Sequence, residues 1–121
     1  MKNEFGTYLE FLRRKYKITL RKLSDMTGIS YTHISNVENG NRKPPSIKTL
    51  NMIATALGVS SEEKEQLIYL SVKQNGLPED VVDYMLNNTA SIIAVKAAQE
   101  LGYNNTSWGK LIEYIKSERL K

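Results

Sequence analysis

The sequence contains no cysteine and a single histidine, His33, among its 121 residues. Without thiols there is no disulfide framework, no cysteine nucleophile and no thiolate metal site. One imidazole cannot build a histidine metal cluster, and no glycine-rich phosphate loop is present. These absences argue against an enzyme, so we expect a protein that has no catalytic activity, metal or cofactor.

Long apolar runs are also absent, since no stretch approaches the roughly 20 apolar residues that a membrane-spanning helix needs. The N-terminal segment, MKNEFGTYLEFLRRKYK, places charges at short intervals and lacks the apolar core of a secretory signal. We therefore expect a soluble cytoplasmic protein with no membrane partner.

The net charge of +4 is unevenly distributed along the chain. Residues 1–58 hold 10 Lys or Arg against 4 Asp or Glu, a net charge of +6, whereas residues 59–121 carry −2. A basic front half fits a polyanionic partner because binding releases counterions. The alternative is that these cations only keep helices soluble.

Apolar residues recur at three- and four-residue steps through most of the chain, which predicts an all-α protein. The segment Asn-Gly-Leu-Pro at residues 75–78 interrupts the helical pattern and is called the breaker here. Five helices are expected before it: four over about 4–17, 19–27, 31–39 and 46–57, and a fifth that begins at residue 60 or 61. Three more follow it, over 79–87, 89–101 and from a cap at Thr106 or Ser107. The breaker divides the chain into a domain at 1–74 and a helical extension at 75–121.

The stretch from Thr19 to Gly40 predicts two short helices joined by a tight turn. Thr19 and Ser30 can cap the two helices, and Gly28 stands where a helix end needs a positive φ. In the first of them, Leu20, Leu23 and Met26 are expected to face inward.

The second of these helices, residues 30–39, carries a face of small polar side chains. With Ile34 and Val37 turned inward, the opposite side presents uncharged groups and no long acidic side chain before Glu38. Such a face suits the major groove, where Asn pairs with adenine and a Thr methyl touches a thymine methyl. The candidates for reading bases are Tyr31, Thr32, Ser35 and Asn36, which share this face, and His33, which lies to one side of it.

Phosphate contacts are expected on both sides of this helix, because they position it without reading sequence. The loop that follows the helix and the start of the preceding helix offer cations, polar side chains and free backbone N–H groups. The candidates are Thr19, Arg21, Lys22, Asn39, Asn41, Arg42 and Lys43. Arg13, Arg14, Lys15 and Lys17, near the end of the first helix, fit either the helix dipole or a phosphate.

Three segments carry a resemblance to a known family: ITLRKLSDMTGIS at 18–30, ISNVENGNRKP at 34–44 and LNMIATALGV at 50–59. Because of these segments, residues 5–70 resemble the lambda-repressor-like helix-turn-helix regulators of the Cro/C1 type, which are also called the Xre family. The resemblance implies a five-helix DNA-binding domain whose third helix reads bases, usually from a symmetric dimer. Many relatives have Gln at the position of Leu20, so here Arg21 is left to make that phosphate link.

The last helices match no motif of that family, and two uses for them remain open. They could form a homodimer interface through Val82, Met85, Ile92, Val95, Trp108, Leu111 and Ile115. Alternatively, they could bind a protein or small-ligand effector.

Taken together, the sequence predicts a transcriptional regulator that binds double-stranded DNA, acting as a repressor on an inverted-repeat operator. A repressor is favoured over an activator because occupancy of the operator suffices and no acidic activating patch is present. The alternative is an antitoxin or other protein-interaction regulator whose C-terminal helices bind a partner protein.

Overall fold

A computed structural model of the chain describes residues 3–119, and every regular element within them is an α-helix. The expected all-α fold, five helices followed by three, is confirmed over this range. The helices are α1 (Glu4–Lys15), α2 (Leu20–Thr27), α3 (Tyr31–Glu38), α4 (Ile47–Leu57), α5 (Ser61–Asn75), α6 (Glu79–Asn87), α7 (Ala90–Glu100) and α8 (Asn105–Glu118).

The chain folds as two compact units, residues 1–78 and residues 79–121. The first unit contains α1 to α5, and the second contains α6 to α8. Across residues 3–119, no helix combines the length and the apolar character needed to cross a membrane.

The apolar stripes of all five helices meet in the core of the first unit. Helix α1 packs against α3 and α5, and α4 packs against α2 and α5. Burial of these side chains is the main favourable term for the unit, since each contributes about 1.5–3 kcal/mol of transfer free energy. The core residues are Phe5, Leu9, Leu12, Leu23, Ile34, Val37, Leu50, Ile53, Leu57, Leu67 and Leu70.

Side-chain caps set the helix starts in the first unit. The hydroxyls of Thr19, Ser30 and Ser60 accept hydrogen bonds from the backbone N–H three residues on, each at 3.1 Å. Glu63 completes a capping box by accepting the N–H of Ser60 at 2.9 Å. These caps satisfy N–H groups that a helix leaves without a partner.

Two local expectations are wrong. Met26 is 50% exposed, because the inward stripe of α2 continues from Leu23 to Thr27, four residues on. The last helix begins at Asn105, since the side chain of Asn104 accepts the N–H of Ser107 and caps the helix earlier than expected.

An exposed ion pair ties α1 to the start of α5. Lys15 Nζ lies 2.5 Å from Glu63 Oε2, and the Tyr16 hydroxyl donates to the other carboxylate oxygen. The hydrogen bonds from Lys15 and then Tyr16 lower the pKa of Glu63 to about 2. Lys15 is therefore engaged within the fold, at the surface of the first unit.

Gly6 lets α1 approach the end of α3 at close range. A Cβ at this position would lie 2.4 Å from the backbone oxygen of Glu38 and 2.6 Å from that of Val37. Real Cβ atoms do not approach carbonyl oxygens so closely, so the absence of a side chain fixes the spacing between α1 and α3.

Candidate nucleic-acid interface

The turn between α2 and α3 is held by side chains as well as by backbone conformation. Gly28 ends α2 with φ 76°, as expected from its position. The Thr27 hydroxyl donates to the Leu23 oxygen at 2.7 Å and accepts the Ile29 N–H at 3.2 Å. Ser24 donates across the turn to the Ile29 oxygen at 2.5 Å. These bonds fix the direction in which α3 leaves the turn.

The face of α3 opposite the core is polar and uncharged. Successive side chains are rotated by ~100° around a helix, so Thr32, Ser35 and Asn36 project away from buried Ile34 and Val37. Thr32 is exposed, and Ser35 and Asn36 are half-buried at the base of this face. The structure thus brings three of the five predicted base-reading residues together on one surface.

The other two predicted residues, Tyr31 and His33, flank that face on opposite sides. Tyr31 is half-exposed and lies on the same side of α3 as Glu38, which is seven residues further on. His33 is half-buried and lines a cavity of about 480 Å³, together with mainly apolar side chains and the hydroxyl residues Ser30, Ser46 and Thr49. Both therefore border the polar face and do not occupy its centre.

An ion pair between Arg13 and Glu38 joins α1 to α3, and no local sequence signal distinguishes these two residues from other charged ones. Arg13 Nε lies 2.7 Å from Glu38 Oε2, and its NH2 lies 3.1 Å from the other carboxylate oxygen. The two side chains are 11% and 5% exposed. Glu38 therefore faces the interior and places no negative charge on the polar face of α3.

The same guanidinium also holds the turn before α2, because its NH1 donates to the Ile18 oxygen at 3.2 Å. The hydrogen bond to Glu38 raises the pKa of Arg13, and Tyr31 makes a smaller electrostatic contribution. One largely buried cation thus connects α1, the turn before α2, and α3.

The predicted phosphate-binding loop follows α3 directly. Gly40 turns the chain with φ 81°, and the Asn36 oxygen accepts the N–H groups of Asn41 and Arg42 at 2.9 and 3.1 Å. Pro44 is buried, and its oxygen accepts a hydrogen bond from the Asn75 side chain at 3.2 Å. The loop is therefore anchored at both ends.

The side chains between those anchors are free to meet a ligand. Asn39, Asn41, Arg42 and Lys43 are all exposed. Within residues 3–119, neither Arg42 nor Lys43 takes part in an ion pair.

The start of α2 presents the second predicted group of phosphate contacts. Thr19 is the cap, and Arg21 and Lys22 are exposed and unpaired with any acidic group of the described chain. Leu20 packs against the core instead of reaching outward, as its apolar side chain requires. Arg21, the next residue, is exposed and can make the phosphate link that Leu20 cannot make.

The seven residues predicted for a dimer interface fall into two groups. Three are exposed: Ile92, Val95 and Ile115. Four are half-buried: Val82, Met85, Trp108 and Leu111. The indole of Trp108 packs edge-on against Tyr103 at a centroid distance of 5.8 Å.

Further exposed apolar side chains of the second unit lie outside this predicted set, and they include Leu86, Ile93, Leu101 and Ile112. Of the described residues 79–119, Ala98 alone is buried. Helical periodicity predicts an apolar stripe on each of α6, α7 and α8. It does not show that the second unit by itself leaves most of these apolar side chains exposed.

Comparison with known proteins gives a sequence match in the first unit. A family model described as helix-turn-helix matches residues 9–64. The HTH-type transcriptional repressor RghR of Bacillus subtilis (strain 168) is 38% identical over 58 residues, which are 48% of this chain and 43% of that protein. An HTH-type transcriptional regulator of the same organism, RghRB, is 41% identical over 58 residues, 48% of this chain and 42% of its own length.

The chain thus spans less than half the length of the curated relatives that it matches. Among solved structures, a chain of a SinR protein/SinI protein complex aligns with 97% of this chain and 99% of its own length. The sequence identity is 20% and the TM-score is 0.48.

Proposed function

We propose that the chain is a sequence-specific DNA-binding transcriptional regulator, because a helix-turn-helix family model matches residues 9–64. The observation that carries the proposal is the uncharged polar face of α3, flanked by exposed cations of α2 and of the loop after α3 that make no ion pair among residues 3–119. A duplex needs this arrangement: hydrogen-bonding groups toward base edges, and cations toward the phosphates on either side.

In this proposal Asn36 and Thr32 supply most of the base selectivity. They lie four residues apart, so their side chains follow one line along the helix. The Asn36 amide can pair bidentately with adenine, and the Thr32 methyl can contact a thymine methyl. Ser35, beside them, can donate to or accept from either kind of base.

The cations hold this helix in register with the DNA backbone. Arg42 and Lys43 contact phosphates after α3, and Arg21 and Lys22 contact them at the start of α2. Neighbouring Thr19, Asn39 and Asn41 add neutral hydrogen bonds. Because these contacts lie on two sides of α3, they resist both sliding and rotation of the helix in the groove.

Replacing Asn36 with alanine is expected to relax base preference at one position of the site and to cost about 1–3 kcal/mol there. Binding to a panel of duplexes with single base changes measures this loss. Asn51→Ala is the matched control, because Asn51 is exposed on α4, outside the proposed surface. If base preference is unchanged in Asn36→Ala, Asn36 does not read bases.

We further propose that the second unit holds two chains together. Since Ala98 is the one buried residue among residues 79–119, most of the aliphatic surface of α6 to α8 is open in a single chain. Exposed apolar surface of this kind typically marks an interaction site. A second copy would cover it, and a dimer that reads successive major grooves needs its two α3 helices about 34 Å apart.

Ile115→Asp is expected to weaken the dimer by about 30-fold or more, because it would bury a charge without a partner at a position that is 61% exposed in one chain. Sedimentation across a range of concentrations measures the change. Lys116→Asp introduces the same side chain one position along and should change dimerisation less. An unaltered dimer in Ile115→Asp would place the interface elsewhere.

A repressor acting at an inverted repeat is the form of regulation that we propose. Blocking a promoter needs occupancy alone, and the relative RghR is named a transcriptional repressor. Selection of bound duplexes from a random pool tests this: an inverted repeat supports both DNA reading and two-fold symmetry. Recovery of no preferred sequence would contradict the proposal.

The exposed apolar residues of α6 to α8 also favour a second candidate function, an antitoxin or similar regulator whose C-terminal helices bind a partner protein. Under this alternative those residues contact a different chain instead of a second copy, and a protein or small-ligand effector there alters DNA affinity. Purification of the chain alone distinguishes the two, because a stable homodimer that binds the selected duplex needs no other protein.

A further inference from the structure

Four cations lie at or just beyond the end of α1, and the structure separates one of them from the others. Arg13 is paired with Glu38, Lys15 is paired with Glu63, and Arg14 NH2 lies 3.7 Å from a carboxylate oxygen of Glu10. Lys17 is exposed and makes no ion pair in the part of the chain that is described. Its ammonium is therefore available to a ligand.

The backbone at Lys17 has an unusual conformation. Its φ is 57°, and no other non-glycine residue among residues 3–119 has a positive φ. The left-handed region costs an L-residue with a side chain roughly 1–2 kcal/mol relative to ordinary helical geometry, whereas glycine adopts it readily. A glycine would thus suit the turn itself better than the lysine found there.

The position of this turn relative to α3 is fixed. The Lys17 N–H donates to the Arg14 oxygen at 3.1 Å, and the Ile18 N–H donates to the Arg13 oxygen at 2.9 Å. The Arg13 guanidinium then bonds both the Ile18 oxygen and the Glu38 carboxylate on α3. Through Arg13, the turn that carries Lys17 is linked to the helix proposed to lie in the groove.

We propose that Lys17 is an additional phosphate-binding residue, which extends the contact surface at the start of α2 by one cation. The inference rests on the proposed DNA-binding function. Lys17 lies two residues before Thr19, and the N–H groups of Leu20 and Arg21 lie in the first turn, where a helix leaves them without intrahelical partners. One phosphate could accept hydrogen bonds from these N–H groups while the Lys17 ammonium neutralises it or its neighbour.

The test measures binding of three variants of the full chain to the duplex recovered from the random pool, across a range of salt concentrations. Lys17→Asn removes the charge and tolerates the left-handed conformation. Lys17→Arg keeps the charge. Lys64→Gln, on α5, removes one exposed cation outside the proposed surface and controls for net charge.

Lys17→Asn should lose about threefold to tenfold in affinity at 0.1 M salt, and its log K against log salt slope should become shallower by about 0.9. Lys17→Arg should keep both values near those of the wild type, and Lys64→Gln should change the slope less. An unchanged slope in Lys17→Asn overturns the assignment of Lys17. If the wild-type chain binds no duplex, the proposed function fails as well.

A structural role gives a different pattern, which Lys17→Gly detects. This variant should leave the melting temperature unchanged or raise it by up to about 4 °C, because the left-handed strain is removed. It should still lose affinity as Lys17→Asn does. A lower melting temperature together with unaltered DNA binding would show that the lysine serves the fold and not the phosphate.

Discussion

Gly6→Ala is expected to lower the free energy of unfolding of the first unit by about 3 kcal/mol, although alanine is the better helix former. The new methyl would lie 2.4 Å from the backbone oxygen of Glu38 and 2.6 Å from that of Val37. Backbone oxygens cannot rotate aside as a flexible side chain can, so α1 and α3 must move apart. Chemical denaturation followed by circular dichroism measures the change.

Gly109→Ala is the matched control for this prediction. Gly109 lies inside α8, and a Cβ there would meet no heavy atom within 4 Å. With no clash to offset it, the helix propensity of alanine should stabilise the second unit by up to about 1 kcal/mol. Equal effects at the two glycines would show that the approach of α1 to α3 does not depend on Gly6.

The Gly6 substitution also bears on DNA binding, because the displaced part is the end of α3. The backbone oxygen of Asn36 accepts hydrogen bonds from the N–H groups of Asn41 and Arg42. A shift of this helix end therefore moves the polar face and the loop cations together. We therefore expect weaker binding to the selected duplex even under conditions in which Gly6→Ala remains folded.

The helices of the first unit could be predicted from the sequence because their signals are local. Thr19, Ser30 and Ser60 cap helices at the positions where their side chains can reach the next free N–H, and Gly28 ends one where a positive φ is needed. The apolar residues that recur at steps of three and four include the core residues of all five helices. Each of these signals acts within a few residues of its own position.

Contacts between distant segments could not be predicted in this way. The requirement for Gly6 comes from residues more than 30 positions away, and periodicity contains no information about that distance. The cluster from Arg13 to Lys17 reads as one group of cations, although the structure gives its members different partners. Glu38 likewise resembles a surface residue in the sequence but is buried by its pairing with Arg13.

The candidate site shows the same division. The polar face of α3 follows from helical periodicity alone, since Thr32 and Asn36 are four residues apart. Periodicity also places His33 to one side of this face. Tyr31 is expected on the face but lies at its edge, because the ion pair between Arg13 and Glu38 turns that side of α3 toward α1. Sequence could therefore predict the surface and the position of His33, but not that of Tyr31.

Glu38→Gln is expected to destabilise the first unit by about 3 kcal/mol, because it leaves the Arg13 guanidinium buried without its counter-charge. Arg13→Met should lower the free energy of unfolding by a similar amount, because it leaves the Glu38 carboxylate buried without a counter-charge. In the double variant, Arg13→Met with Glu38→Met, neither charge remains to be desolvated, so the loss should be well below the sum of the two single losses. The double-mutant cycle measured by urea denaturation gives this coupling directly.

Arg14→Met is the control for this cycle. Arg14 lies 3.7 Å from Glu10, but its side chain is 73% exposed, so its removal should cost less than about 0.5 kcal/mol.

Measurements of DNA binding separate the geometric role of Arg13 from its effect on stability. The double variant, although folded, lacks the guanidinium that joins the Ile18 turn to α3. It should therefore lose affinity for the selected duplex more than for random duplexes, because two fixed contact regions now move independently. Preserved selectivity in a folded double variant would show that Arg13 stabilises the unit without setting the geometry of the DNA-binding surface.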